Sequence, residues 1–182
     1  MEIVALEKLD PAQVADCARI LREAFAASGG YGGPSEAERE IASFLPPGER
    51  FALAAVEGRR VLGLVGGIDT YSHAMELHPL VVDPPQQGRG IGAALVKALE
   101  AQAAARGKLA VYLGTDDEIG GTSLFGADIF PNALAKLAAI APTTGHPFFF
   151  YQKLGYEPIG VIPDANGFGK PDLLMGRRIA KT

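Results

Sequence analysis

Apolar and polar positions change period repeatedly along this chain, and each change predicts an element. Residues Glu2 to Leu6 read as a short strand. From Pro11 onward Val14, Cys17, Leu21, Ala24 and Phe25 recur at helical spacing, which predicts an Ala-rich amphipathic helix to about Ala27. Ser28-Gly29-Gly30-Tyr31-Gly32-Gly33-Pro34 interrupts it and is too glycine-rich for a regular element, so it reads as a substrate loop or as a plain connection. Ser35 is placed to cap a second helix through about Leu45. Phe51 to Val56 and Val61 to Ile68 predict two strands joined by Glu57-Gly58-Arg59-Arg60, and Met75 to Val82 a further strand. Pro84 and Pro85 stop that strand. Gly90 to about Arg106 then forms an Ala/Leu helix before the apolar strand Leu109 to Leu113, a β-α-β unit in mid-chain. Helices follow at Asn132 to Ile140 and His146 to Leu154, the latter ended by Gly155. Strands Tyr156 to Ile162 and Asp172 to Ile179 flank the turn Asp164-Ala165-Asn166-Gly167. With no repeat or linker, one domain over residues 1–182 is expected.

The strand-to-helix passage Leu80-Val81-Val82-Asp83-Pro84-Pro85-Gln86-Gln87-Gly88-Arg89-Gly90-Ile91-Gly92 carries the strongest chemical signal. Unpaired N–H groups at a helix start attract anions, and glycines let a pyrophosphate approach without Cβ obstruction. A Walker loop needs Gly-Lys-Ser or Gly-Lys-Thr, whereas two alanines follow Gly92 here. A Rossmann fingerprint is formally met by Gly88, Gly90 and Ala93, yet Asp83 to Gln87 separate it from its strand. Close packing of the helix on a sheet accounts for one such glycine more readily than for three.

Upstream, alternation places Glu76, His78 and Leu80 on one strand face. A carboxylate there suits removal of a proton from an amine, a step that costs about 4 to 5 kcal/mol at neutral pH for a lysine-like group. Backbone N–H groups near Leu80 could stabilise an oxyanion, and the Tyr151 phenol could protonate a leaving group. Surface Glu76 and core Tyr151 are the competing structural readings. His73 and His78 fall on opposite faces, so no metal site is expected, and His78 and His146, each before a proline, suit backbone positioning.

Composition narrows the classes. The single cysteine, Cys17, excludes an intramolecular disulfide and a cysteine metal cluster, and its helical spacing suggests a core residue. A formal net charge of −4 without a Lys/Arg block argues against a nucleic-acid partner and favours a cationic one. No apolar run is long enough to span a bilayer and the start does not resemble a signal peptide, so no membrane partner and a cytoplasmic location are expected. Asp116, Asp117 and Glu118 follow the strand Leu109 to Leu113 at its carboxyl end, where α/β sheets hold ligands, and could bind ammonium groups; a solvated turn is the alternative.

Gln87, Gly90 and Gly92 resemble the acyl-CoA signature of the GCN5-related N-acetyltransferases (GNAT). Glu76-Leu77-His78-Pro79-Leu80-Val81-Val82, Tyr112-Leu113-Gly114-Thr115-Asp116-Asp117, His146-Pro147, Phe150-Tyr151-Gln152-Lys153-Leu154-Gly155-Tyr156 and Pro163-Asp164-Ala165-Asn166-Gly167 are similar to stretches of the aminoglycoside 6'-N-acetyltransferases. Phe148-Phe149 stands where that group usually has Tyr-Glu, and Met75 where it has an aromatic residue. The resemblance implies an α/β (α+β) GNAT fold, a central mixed, mostly antiparallel sheet flanked by helices with a β-α-β acyl-CoA unit. It implies acetyl-CoA as cosubstrate, held by Leu80, Val81, Val82, Gln87, Gly88, Arg89, Gly90, Ile91 and Gly92, with no metal. It further implies Glu76 as base at the acceptor, His78 and Leu80 as backbone contacts near the acceptor and thioester, Tyr151 as acid, and a homodimer. The acceptor would be a small polycationic amine, most simply an aminoglycoside; a polyamine, peptide or protein amine, or a non-catalytic acyl-CoA sensor, are the alternatives.

Overall fold

The computed structural model describes residues 1–26, 29–33, 35–46 and 48–180. The chain divides into two compact units, one of Met1–Val111 with the last residues from Ile179, the other Tyr112–Arg178.

In the first unit β1 (Glu2–Ala5), β2 (Arg50–Glu57), β3 (Arg60–Ile68) and β4 (Ala74–Val82) pair in that order, antiparallel throughout. Helices α1 (Pro11–Ala24) and α2 (Glu36–Ala42) precede β2, and α3 (Ile91–Ala105) follows β4. Asp10 starts α1 with a capping box: its carboxylate accepts from the Gln13 N–H at 3.0 Å and the Gln13 side chain accepts from the Asp10 N–H at 3.1 Å. The helix stops at Ala24, short of the expected end near Ala27, which with Ser28 and Pro34 lies outside the described residues. Ser35 holds the N-cap position of α2 in a left-handed conformation with no side-chain capping bond, so the expected cap is corrected. The acids Glu36 and Glu38 in the first turn suit the helix dipole instead.

Cys17, Ile20 and Leu21 of α1 pack with Ile41, Phe44, Ala54, Leu64 and Val81 into a buried cluster. Cys17 is fully buried, as its spacing predicted. Burial, then the neighbouring Asp16, pushes its thiol up to about 12, a structural and unreactive state.

One irregularity shapes β4. Leu77 opposes Gly67 and Leu80 opposes Val65, so Gly66 alone faces His78 and Pro79 across a β-bulge. A Cβ on Gly66 would overlap the His78 carbonyl and the Phe44 ring, so only glycine permits this approach.

The second unit holds most of β5 (Ala110–Asp116), with α4 (Ala133–Ala138), α5 (Pro147–Lys153), β6 (Glu157–Ile162) and β7 (Asp172–Arg178). β7 lies between β5 and β6 and pairs antiparallel with β6. Leu113, Phe148, Tyr151, Tyr156, Leu173 and Met175 are buried there. Strand β5 continues beyond the expected Leu113 to Asp116.

Candidate active site

Burial alternates along β4. Met75, Leu77 and Val81 are buried, whereas Glu76, His78, Leu80 and Val82 are half-exposed on the opposite face, as the period of two predicted. The His78 ring is reached from elements far off in sequence. Tyr31 Oη lies 3.2 Å from His78 Nε2, and Glu40 Oε1 of α2 lies 3.7 Å from the same nitrogen. Arg50 at the start of β2 donates to that Glu40 oxygen at 2.5 Å and stacks over the Phe44 ring, 4.4 Å from its centroid. Sequence reasoning missed Tyr31, Glu40 and Arg50. The available signal was an aromatic residue enclosed by glycines at 29–33.

Beyond β4 the chain makes a 3-10 turn at Pro84–Gln86. Gln87 Nε2 then donates back to the Val82 carbonyl at 3.2 Å, and the Arg89 guanidinium donates to the Gln86 side chain. Gly88 and Gly90 take φ of +76° and +80°, and the space where each Cβ would stand is open. Gly90 is the N-cap of α3 and provides no side-chain cap; the Ala94 N–H returns to the Gly90 carbonyl at 3.0 Å. The N–H groups of Ile91, Gly92 and Ala93 thus precede the first bond of the helical ladder, and no side chain caps them. The nearby Asp83 carboxylate would repel an anion, but it is buried and paired with Arg60 at 3.0 Å and Arg19 at 3.7 Å. Geometry and charge therefore fit a bound pyrophosphate.

In the second unit, two adjacent acids part company. Asp116, the exposed end of β5, accepts from Asn166 Nδ2. Asp117 is fully buried and accepts from the N–H groups of Gly120, Gly121 and Thr122 and from the Thr122 hydroxyl, at 2.7 to 3.0 Å. Burial raises its carboxyl, but these bonds and nearby His146 outweigh that and hold it below the usual carboxylate value. The expectation that Asp117 meets substrate is corrected: its oxygens close the 117–122 turn. His146 is occupied too. Its Nδ1 accepts the Phe148 N–H at 3.1 Å at the start of α5, so Nε2 donates to the Asp116 carbonyl at 3.0 Å, the backbone-positioning role expected of it.

Tyr151 on α5 is 7% exposed, its ring 5.7 Å from that of Tyr156 and 5.1 Å from that of Phe150. Burial raises its phenol well above the ordinary value, so it holds its proton. Met75 and Phe148, two of the departures from the resembled group, are fully buried. Among the described residues no cluster of His, Cys, Asp or Glu is placed to hold a metal ion, and no helix is long and apolar enough to cross a membrane.

A glycine-opened helix follows a bulged strand, and its uncapped N-terminus suits an anion such as a pyrophosphate. Residues 15–120 match the model of the acetyltransferase (GNAT) family, and the chain belongs to that family. It has the family's α/β fold and is an acetyltransferase that uses acetyl-CoA. Over its whole length it is similar to the crystal structure of an aminoglycoside 6'-N-acetyltransferase complexed with coenzyme A, at 38% identity and TM-score 0.92, covering 99% of that chain. It is also similar to the aminoglycoside 6'-N-acetyltransferase from Enterococcus faecium, at 38% identity and TM-score 0.89, covering 100% of this chain and 99% of that one. A third similar structure, aminoglycoside 6'-acetyltransferase type Ii, has 33% identity and TM-score 0.74 with the same coverage. No curated protein sequence matches the chain.

Proposed function

We propose that this protein is an aminoglycoside 6'-N-acetyltransferase acting as one domain over residues 1–182. The observation that carries the proposal is similarity along the full chain, at 38% identity, to two structures of that activity.

Acetyl-CoA, bound along Leu80 to Val82 and over the N–H groups from Gln87 to Gly92, supplies an activated acetyl group. The acceptor arrives as an ammonium ion without a lone pair, and Glu76 removes its proton. A C–N bond to the acetyl carbon then forms as the C–S bond breaks, and the nitrogen loses its second proton to solvent. Backbone donors near Leu80, where the bulge interrupts the ladder, stabilise charge on the acyl oxygen. Tyr151 gives a proton to the departing sulfur. Asp116 attracts a second ammonium group of the polycation. Met75 and Phe148 lie in the core, so these two departures from the resembled group leave acceptor contacts untouched. A homodimer in the cytoplasm completes the proposal, with the half-bare strand β6, whose Ile159 and Ile162 are exposed, as a suitable contact.

Thiol release from acetyl-CoA across an aminoglycoside panel, run on wild type and Glu76→Gln together, tests it. Drug-dependent release that falls about 100- to 10,000-fold in the variant is expected. Release only with polyamines, peptides or proteins would replace the acceptor. Coenzyme A binding without turnover would leave a non-catalytic sensor.

A further inference from the structure

Residues 29–33 present a side chain. Tyr31 holds φ of +57°, a backbone conformation that bulky residues rarely adopt and that persists only where the surroundings enforce it. Its ring packs edge-on against Phe25 with centroids 5.3 Å apart, and its hydroxyl meets His78 Nε2 at 3.2 Å, on the same strand face as Glu76.

The direction of that hydrogen bond depends on the imidazole tautomer. Burial, then the Glu40 charge, pushes the Tyr31 phenol up to about 12 against the opposing pull of Arg50, so it keeps its proton at any working pH. It donates to Nε2 where that nitrogen carries the lone pair. Glu40 Oε1, at 3.7 Å, is beyond hydrogen-bond range of Nε2 and is engaged by Arg50. The remaining ring proton of a neutral His78 then belongs on Nδ1, which has no protein partner among the described residues, while the side chain is 44% exposed.

We propose that Tyr31 fixes His78 as the Nδ1–H tautomer, giving the face that bears Glu76 a hydrogen-bond donor that selects acceptors carrying a hydroxyl or ether oxygen near the reactive amine. This rests on the reading of that face as the acceptor site. Two strand residues rise about 7 Å, so Glu76 and His78 can engage one small molecule at its amine and at an oxygen, which an amino sugar carries and a methylene polyamine lacks. A site built to bond an oxygen rejects an analogue lacking it, because its donor is left unpaired. Glu76 acts on the amine, Tyr31 is a positioning residue, and His78 determines specificity.

The test compares kcat/KM for an amino sugar and for spermidine in wild type, Tyr31→Phe, His78→Asn and His78→Leu. Tyr31→Phe keeps the ring on Phe25 and loses only the hydroxyl. It should lower the amino-sugar preference about fivefold to tenfold, chiefly through acceptor KM, as loss of one hydrogen bond does. His78→Asn, whose amide places a donor where Nδ1 stood, should retain most of the preference, and His78→Leu should lose it. An unchanged preference in both Tyr31→Phe and His78→Leu overturns the inference. Independently of turnover, the ring 15N spectrum of neutral His78 in wild type should show the proton on Nδ1, and a proton on Nε2 also overturns it. A wild type that acetylates hydroxylated amines but no aminoglycoside, with the Nδ1–H spectrum intact, removes the proposed substrate and leaves this inference standing.

Discussion

Residues 29–33 and 88–92 are both glycine-rich, and both lead into a helix, yet they are built for different ends. At 88–92 the positive-φ glycines stand in open space and the first N–H groups of α3 have no cap. At 29–33 the Gly33 N–H is already taken by the Glu36 carboxylate at 3.0 Å, and Gly30 is close enough to Phe25 that a Cβ would come within 3.1 Å. The second segment thus supplies its own anion and uses its glycines to carry Tyr31. Glycine content does not make an anion site. What decides is whether the backbone donors are still free once the chain has folded.

The strongest way to break this contrast is Gly90→Val. A branched residue at φ of +80° is strained by about 1 to 3 kcal/mol, and its side chain would stand at the uncapped start of α3, the proposed pyrophosphate site. An approximately hundredfold fall in kcat/KM for acetyl-CoA is expected, read by initial rates with acetyl-CoA varied and melting temperature followed in parallel. A loss seen only when the acceptor is varied would mean that 88–92 does not hold the cosubstrate.

The same division, between groups consumed by the fold and groups left for a ligand, separates Asp116 from Asp117. Asp117→Asn should cost about 1 to 3 kcal/mol in urea unfolding, because the turn donors lose a charged acceptor. Asp116→Asn should leave stability near wild type and raise KM for polycationic acceptors. The sign with pH follows from the lowered carboxyl of Asp117. Its contribution is complete above the unfolded value of about 4 and is lost as pH falls through the lower folded value. The stability gap between wild type and Asp117→Asn should therefore be flat at neutral pH and close below about pH 4. A gap independent of pH would remove Asp117 from that role.

What the sequence disclosed and what it hid follow the range of the interactions involved. The α3 start was legible because its signal is local: a proline stop, glycines and an alanine-rich run occupy consecutive positions. The Glu76, His78, Leu80 face was legible because strand alternation needs no partner. Asp117 was misread because a run of carboxylates looks solvated until Thr122 and two glycines close over it. Tyr31 and His78 are 47 residues apart, and nothing in either neighbourhood announces the other. The strand end was underestimated for a related reason: β5 runs on through Gly114, where a Cβ would come within 2.8 Å of the Asp172 carboxylate on β7, so the glycine that reads as a stop is a close approach between strands.

The finest test uses matched substitutions. Gly29 and Gly90 have φ of +77° and +80°, and neither has an atom within 4 Å of a built Cβ. Alanine at either position therefore incurs nearly the same backbone penalty, about 1 to 2 kcal/mol, and stability should fall by similar amounts in both. Their kinetics should differ. Gly90→Ala should raise the acetyl-CoA KM about fivefold, and Gly29→Ala should raise the acceptor KM about twofold to threefold by loosening the delivery of Tyr31. Because the strain is shared, a difference in which substrate suffers can come only from what each segment presents. Equal effects on both substrates would reduce the two segments to ordinary turns.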